Sequence, residues 1–196
     1  MGSKASTKNI TPEIDQVEQE LEKEIEKKRF RKALRSTIFS LITVAAIAVI
    51  ISVFFLPVLR LYGSSMTPGL NDGDIVIALK KQEYEAGEVV GLYYGNKLLV
   101  KRIIAGPGDK VDIDEVGNVY VNNELLVEDY LDEKNYGEVT IDLPYQVPEN
   151  RWFVMGDHRS TSIDSRNRTV GTISNDQIVG TLIFRIWPLD SLGKIE

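Results

Sequence analysis

The rhythm of hydrophobic and polar positions changes twice along this chain. From Pro12 to Arg35 the apolar residues Ile14, Val17, Leu21 and Ile25 recur at steps of three and four, with Glu and Lys between them. That spacing predicts a solvated, weakly amphipathic helix. It is not sustained over enough heptads to predict a dimerising coil. Residues 1–11, small and polar, read as a disordered leader. From Ser36 to Leu59 the rhythm disappears: 24 consecutive positions carry no charge. As a helix the run is about 36 Å long, enough for a bilayer core of about 30 Å. The apolar part of a cleaved signal peptide is only about 7–15 residues. A membrane-spanning anchor over 36–59 is therefore expected, with Pro57 near its far end, where a proline does least damage.

Past Arg60 the pattern becomes short and β-like. Asp74–Lys80, Glu88–Tyr94, Lys97–Ala105, Asp109–Ile113, Asn118–Asn123, Arg151–Gly156 and Ile178–Pro188 are rich in branched and aromatic residues, punctuated by Gly, Asn, Asp and Pro. No ten-residue helical period survives there, and no internal repeat is visible. The expected class is mainly β, a barrel or sandwich. Residues 106–148, polar and rich in turns, are expected to form a small inserted subdomain.

Charge gives the anchor a direction. Six basic residues and no acid lie in Lys27–Arg35, whereas Arg60 is the only basic residue close on the other side. The positive-inside rule then puts a cytoplasmic tail at 1–35 and an extracytoplasmic domain at 60–196, in a single-pass protein of the cell membrane. The net charge of −6 is split unevenly. Residues 1–35 hold nine Lys/Arg against seven Asp/Glu, so the rest of the chain is strongly acidic. That balance argues against nucleic-acid binding. The absence of cysteine excludes disulfides, a thiol nucleophile and thiolate metal sites, and one histidine is no basis for a zinc site.

Candidate chemistry centres on "YGSSMTPGLNDGD", Tyr62–Asp74, with its two adjacent serines. There is no Gly-x-Ser-x-Gly elbow. His158 is the only histidine available as a base, but a histidine in "GDHRS" reads more readily as structural or solvent-facing. The other activator of serine is a lysine made neutral by burial. Lys101 in "LLVKRIIA" is the best candidate, because apolar residues surround it on both faces of a predicted strand. The competing reading places Lys101 and Arg102 on an edge strand, reaching solvent. "SLGK", Ser191–Lys194, has a Ser-x-x-Lys spacing but no predicted helix to carry it. "MGDHRSTSIDSRNRTVG", Met155–Gly171, offers Asp157, Arg159, Asp164 and Arg166 for an ion-pair network around a site.

Four stretches in order resemble the type I signal peptidases, in the single-anchor form typical of Gram-positive bacteria. "GSSMTPGL" is similar to the family's Ser-Met-x-Pro-Thr-Leu box and "GDIVIA" to its Gly-Asp-apolar-Val box. "KRIIAGPGDKV" is similar to its Lys-Arg box, and "GDHRSTSIDSR" to its Gly-Asp-Asn-Arg box. The resemblance runs from about Arg31 to Pro188. It implies a β-rich domain with a smaller inserted subdomain, and an endopeptidase that removes signal peptides through a Ser–Lys dyad and an acyl-enzyme. Its pattern puts the nucleophile on Ser65, not Ser64, and the base on Lys101. It implies that Ser162 orients the lysine, that Asp164 and Arg166 form a structural ion pair, and that Met66 walls the substrate pocket. The implied partners are preproteins with small-x-small (Ala-x-Ala-like) cleavage sites and the lipid bilayer. The implied state is a monomer without metal or cofactor.

The chain departs from the pattern at Gly69, His158, Thr161 and Ala105. Gly63 stands where some members carry a serine, so the oxyanion is expected to rest on backbone N–H, that of Ser65 above all. A non-enzymatic relative would lack Ser65 or Lys101, and a self-cleaving repressor-type protease would carry a DNA-binding head in place of the anchor.

Overall fold

The computed structural model describes residues 14–195; the leader expected over residues 1–11 lies outside them. The first element is one continuous helix, α1, Ile14–Phe55. It takes in both the charged segment and most of the apolar run. It is long and apolar enough to cross a membrane by length and composition. Its two threonine hydroxyls are satisfied within the helix: Thr37 Oγ1 donates to the Ala33 carbonyl at 3.0 Å and Thr43 Oγ1 to that of Phe39 at 2.9 Å. Such back-bonding lets threonine sit in an apolar stretch.

The apolar run does not remain helical to Leu59. The helix stops at Phe55, two residues before Pro57, whose missing N–H cannot continue the ladder. The chain turns directly into strand β1, Val58–Arg60, which pairs antiparallel with β2, Ile75–Leu79. Lys80 N–H donates to Phe55 O and Ala78 N–H to Pro57 O, so the sheet captures the end of the run. Sequence pattern misses this because a short buried strand and the end of an apolar helix look alike.

The remaining strands are β3 Val89–Tyr94, β4 Lys97–Ala105, β5 Lys110–Ile113, β6 Val119–Val121, β7 Glu124–Leu125, β8 Tyr145–Gln146, β9 Arg151–Met155, β10 Ile173–Ser174, β11 Ile178–Trp187 and β12 Gly193–Lys194. Among the described residues, no α-helix follows Phe55. The main sheet runs β1-β2-β11-β3-β4-β9-β10, with β12 added on β11, and all its pairings are antiparallel. The expected mainly-β class holds, but the sheet is open and its end strands β1 and β10 do not pair, so it is not a closed barrel.

The chain between β4 and β9 forms a second sheet, β7-β6-β5-β8. One apolar cluster joins the two sheets: Ile104, Ala105, Phe153 and Met155 from the main sheet pack with Val111, Ile113, Val119 and Val147. Two further clusters fill the main sheet, one around Leu59, Val76, Ala78 and Leu182, the other around Val90, Leu92, Ile103 and Val154. Strand β4 lies between β3 and β9, so it is central, and Lys101 through Ala105 are all buried. The edge-strand reading of Lys101 fails for that reason.

Candidate active site

The two serines lie in the loop from Leu61 to Asp74, between β1 and β2. The loop is pinned at its base by Leu61 N–H on Asp74 O and Gly73 N–H on Leu61 O, at 2.8 and 3.0 Å. Gly63 takes φ +92°, which suits glycine alone, and donates to Asp72 Oδ1 at 2.7 Å. From the far side Arg185 Nη1 holds Gly69 O at 2.9 Å. Ser64 is exposed and Ser65 half-buried. Ser65 and Met66 line a small cavity with Leu61, Tyr62, Leu70 and Val100. Among the described residues, no hydrogen bond reaches Ser65 Oγ or leaves the Ser65 N–H.

Lys101 is 2% exposed. Its Nζ donates to Ser162 Oγ at 3.0 Å. Burial pushes its pKa down to about 8. Asp164 and Asp157 oppose that shift and Arg166 assists it. A lysine at this value is neutral often enough near neutral pH to take a proton, which an exposed lysine is not.

Gly156, at the end of β9, brings the serine loop to this pair. A Cβ on Gly156 would stand 2.3 Å from Ser162 Oγ and 2.5 Å from the Ser65 carbonyl oxygen. Only glycine leaves room there for the Ser65 backbone and the Ser162 side chain together. His158 N–H then donates to that Ser65 carbonyl at 3.0 Å. The structure therefore joins Lys101 to Ser162 directly, and brings Ser65 against the same glycine.

Beneath Ser162 lies the Asp164–Arg166 pair, with both side chains fully buried. Arg166 Nε and Nη2 fork onto the two carboxylate oxygens at 2.8 and 2.9 Å. Burial alone would raise the Asp164 pKa, but the Arg166 contacts, the Ser162 hydroxyl and the Gly156 N–H hold it below the usual value. Arg166 also donates to the carbonyls of Arg159 and Tyr136, so the ion pair staples the loop that presents Ser162.

The four charges expected to form one network are divided differently. Asp157 is gripped by Arg102 of β4, at 3.0 and 2.8 Å, and Arg159 pairs with Glu128. Tyr130 lies 4.0 Å under the Arg102 guanidinium. Glu128 and Tyr130 carried no site signal in the sequence, and Gly156 is marked only as the first residue of the "GDHRSTSIDSR" box. Glu128 sits in a polar stretch whose burial no periodicity announces. His158, read as structural or solvent-facing, is half-buried against the serine loop.

Comparison with known proteins follows the same lines. Residues 34–187 match the family model described as signal peptidase, peptidase S26. The chain is 32% identical to Signal peptidase I of Bacillus licheniformis over 170 residues, covering 80% of this chain and 90% of that protein. It is 31% identical to Signal peptidase I U of Bacillus subtilis (strain 168), covering 81% and 90%. It is 36% identical to Signal peptidase IB of Staphylococcus aureus (strain N315), covering 77% and 88%. A crystal structure of a signal peptidase I from Enterococcus faecalis V583 matches with a TM-score of 0.45 at 25% identity, over 53% of this chain and 99% of that one.

Proposed function

The chain belongs to the signal peptidase family, peptidase S26, and is a serine peptidase; on that premise we propose that it removes signal peptides from exported preproteins with Ser65 as nucleophile and Lys101 as general base. The observation that carries this reading is the burial of Lys101 on a central strand, with its pKa lowered to about 8.

The steps follow from the groups present. Ser162 Oγ takes one N–H of Lys101, which leaves the lone pair of the neutral amine free for the Ser65 proton. Ser65 Oγ attacks the carbonyl carbon of the residue before the cleavage point. The oxyanion settles on the Ser65 N–H, which no protein group occupies. Lys101 passes its proton to the departing amine, and the acyl ester remains on Ser65. Water then attacks the ester, losing a proton to Lys101, which returns it to Ser65 Oγ as the acyl–oxygen bond breaks and the carboxylic product leaves. Asp164 and Arg166 fix the loop that holds Ser162 in place. The cavity beside Ser65, walled by Met66, Leu61 and Val100, suits the small side chain of an Ala-x-Ala-like site. No step calls for a metal or cofactor.

α1 anchors this monomer in the cell membrane as a single span, with the basic flank Lys27–Arg35 inside and the catalytic domain outside. Anchoring raises the effective concentration of enzyme where cleavage sites emerge. The full-length chain in detergent should cleave a model preprotein after a small-x-small sequence, and Ser65→Ala should not. Cleavage by Ser65→Ala at the wild-type rate would refute the reading. In intact spheroplasts, added protease should digest residues 61–196 and spare the basic tail.

A further inference from the structure

Thr67 Oγ1 has two close polar neighbours. It lies 2.9 Å from the Ser64 carbonyl oxygen and 2.9 Å from His158 Nδ1. A hydroxyl has one proton to give, and a carbonyl can only accept. The Thr67 proton therefore goes to Ser64 O. Thr67 Oγ1 can then meet the imidazole only as an acceptor, so His158 Nδ1 must carry the hydrogen. His158 already holds the Ser65 carbonyl through its backbone N–H at 3.0 Å.

We propose that the His158 side chain is a positioning residue for the turn carrying Ser65, acting as an obligatory Nδ1–H donor to Thr67. One residue thus clamps the Ser64–Thr67 turn from both ends, with backbone on Ser65 and ring on Thr67. The ring nitrogen that faces the turn has no lone pair, so it cannot accept the Ser65 proton. An asparagine places an amide N–H at similar reach, and should replace the ring. A leucine of similar size should not.

Only the kinetic arm of the test rests on the peptidase reading. His158 is the single histidine, so a long-range proton–nitrogen NMR spectrum of the full chain in detergent reads its tautomer without activity. The expected result is Nδ1–H, opposite to the tautomer that free histidine favours; an Nε2–H ring overturns the proposal. In preprotein cleavage His158→Leu should lower kcat about tenfold, the loss of one hydrogen bond, with KM nearly unchanged. His158→Asn should recover to within about twofold of wild type. Thr67→Val loses the bond to Ser64 O as well, so it should cost at least as much as His158→Leu, and the double variant should cost no more than Thr67→Val alone, because the histidine bond is lost in both. The rise of rate with pH should keep its midpoint in all of them. Wild-type kcat in His158→Leu, or loss of its pH-dependent rise, overturns the proposal. A wild-type chain that cleaves no preprotein would sink the peptidase reading, and the tautomer spectrum alone would then decide the clamp.

Discussion

Lys101 Nζ and Ser162 Oγ meet at 3.0 Å although 61 positions separate them in the chain. Strand β4 supplies the lysine, and the loop after β9 folds back to cover it. The amine is thereby cut off from water while keeping one oriented partner. Burial alone would lower the pKa, and the hydroxyl adds direction to the lone pair.

The rate should therefore rise with pH through an apparent pKa of about 8. With Lys101 as the proposed base, the neutral amine is the active form, so activity should be lost as pH falls below that value. Lys101→Arg should be inactive throughout, because a guanidinium stays protonated at any working pH. A pH–rate profile of the two proteins decides it. A fully active arginine variant would remove Lys101 from the chemistry.

The same shift predicts a stability signature. Below about pH 8 Lys101 is charged in the folded and unfolded states alike, and the folded protein bears the full cost of a buried ammonium. Above about 10.5 it is neutral in both states and the cost is gone. Between these values stability should rise with pH, by about 3 kcal/mol in all. Lys101→Met should lack that rise. Denaturant unfolding of both proteins across the range measures the difference.

The serine loop gives an asymmetric pair. Ser65→Ala should abolish turnover while Ser64→Ala retains most of it, since Ser64 contributes a carbonyl to the turn and its side chain is exposed. Single-turnover assays of preprotein cleavage compare them. Loss in Ser64→Ala with survival of Ser65→Ala would reverse the roles.

Asp164→Asn leaves Arg166 buried without its anion, at a cost of about 3–5 kcal/mol. It also removes a charge that raises the Lys101 pKa. In the fraction that folds, the rise of rate should shift to lower pH. An upward shift would contradict the placement of these charges.

Gly156→Ala drives a methyl into the Ser162 hydroxyl and the Ser65 backbone. The Ser65 carbonyl cannot rotate away, so the two loops must part. Activity should fall by about 100-fold or more, since small misplacements of reacting groups cost that much, while circular dichroism retains the β signal.

Much of this site is legible in the sequence, and the rest is hidden for definite reasons. Lys101 stands out because a charge inside "LLVKRIIA" has apolar neighbours on both sides, and the strand is buried on both faces. The serine loop is marked by its turn residues. By its pattern Leu59 belongs to the apolar helix, because periodicity cannot distinguish a helix end from a buried strand of three residues. The pairing of Arg102 with Asp157, and of Arg159 with Glu128, is tertiary. Nothing in "GDHR" says that its charges look outward to β4 and to residue 128 instead of to each other. Closure of the sheet was equally out of reach, since alternation fixes faces and leaves the neighbours open.

Strand β11 lies between β2 and β3, and it is made about a hundred residues after β2, so this pairing is of high contact order. Without it, the ladder of the main sheet falls into two fragments: β1 with β2, and β3 with β4, β9 and β10. The serine loop belongs to the first and Lys101 to the second. Serine and lysine thus stand on separate fragments of the ladder: β11 joins them by strand pairing, while His158 N–H on Ser65 O and the apolar cluster of Leu59, Val89 and Val100 hold them across the gap. A chain truncated ahead of Ile178 should therefore lose the ladder that holds serine and lysine in register, and should not cleave preprotein.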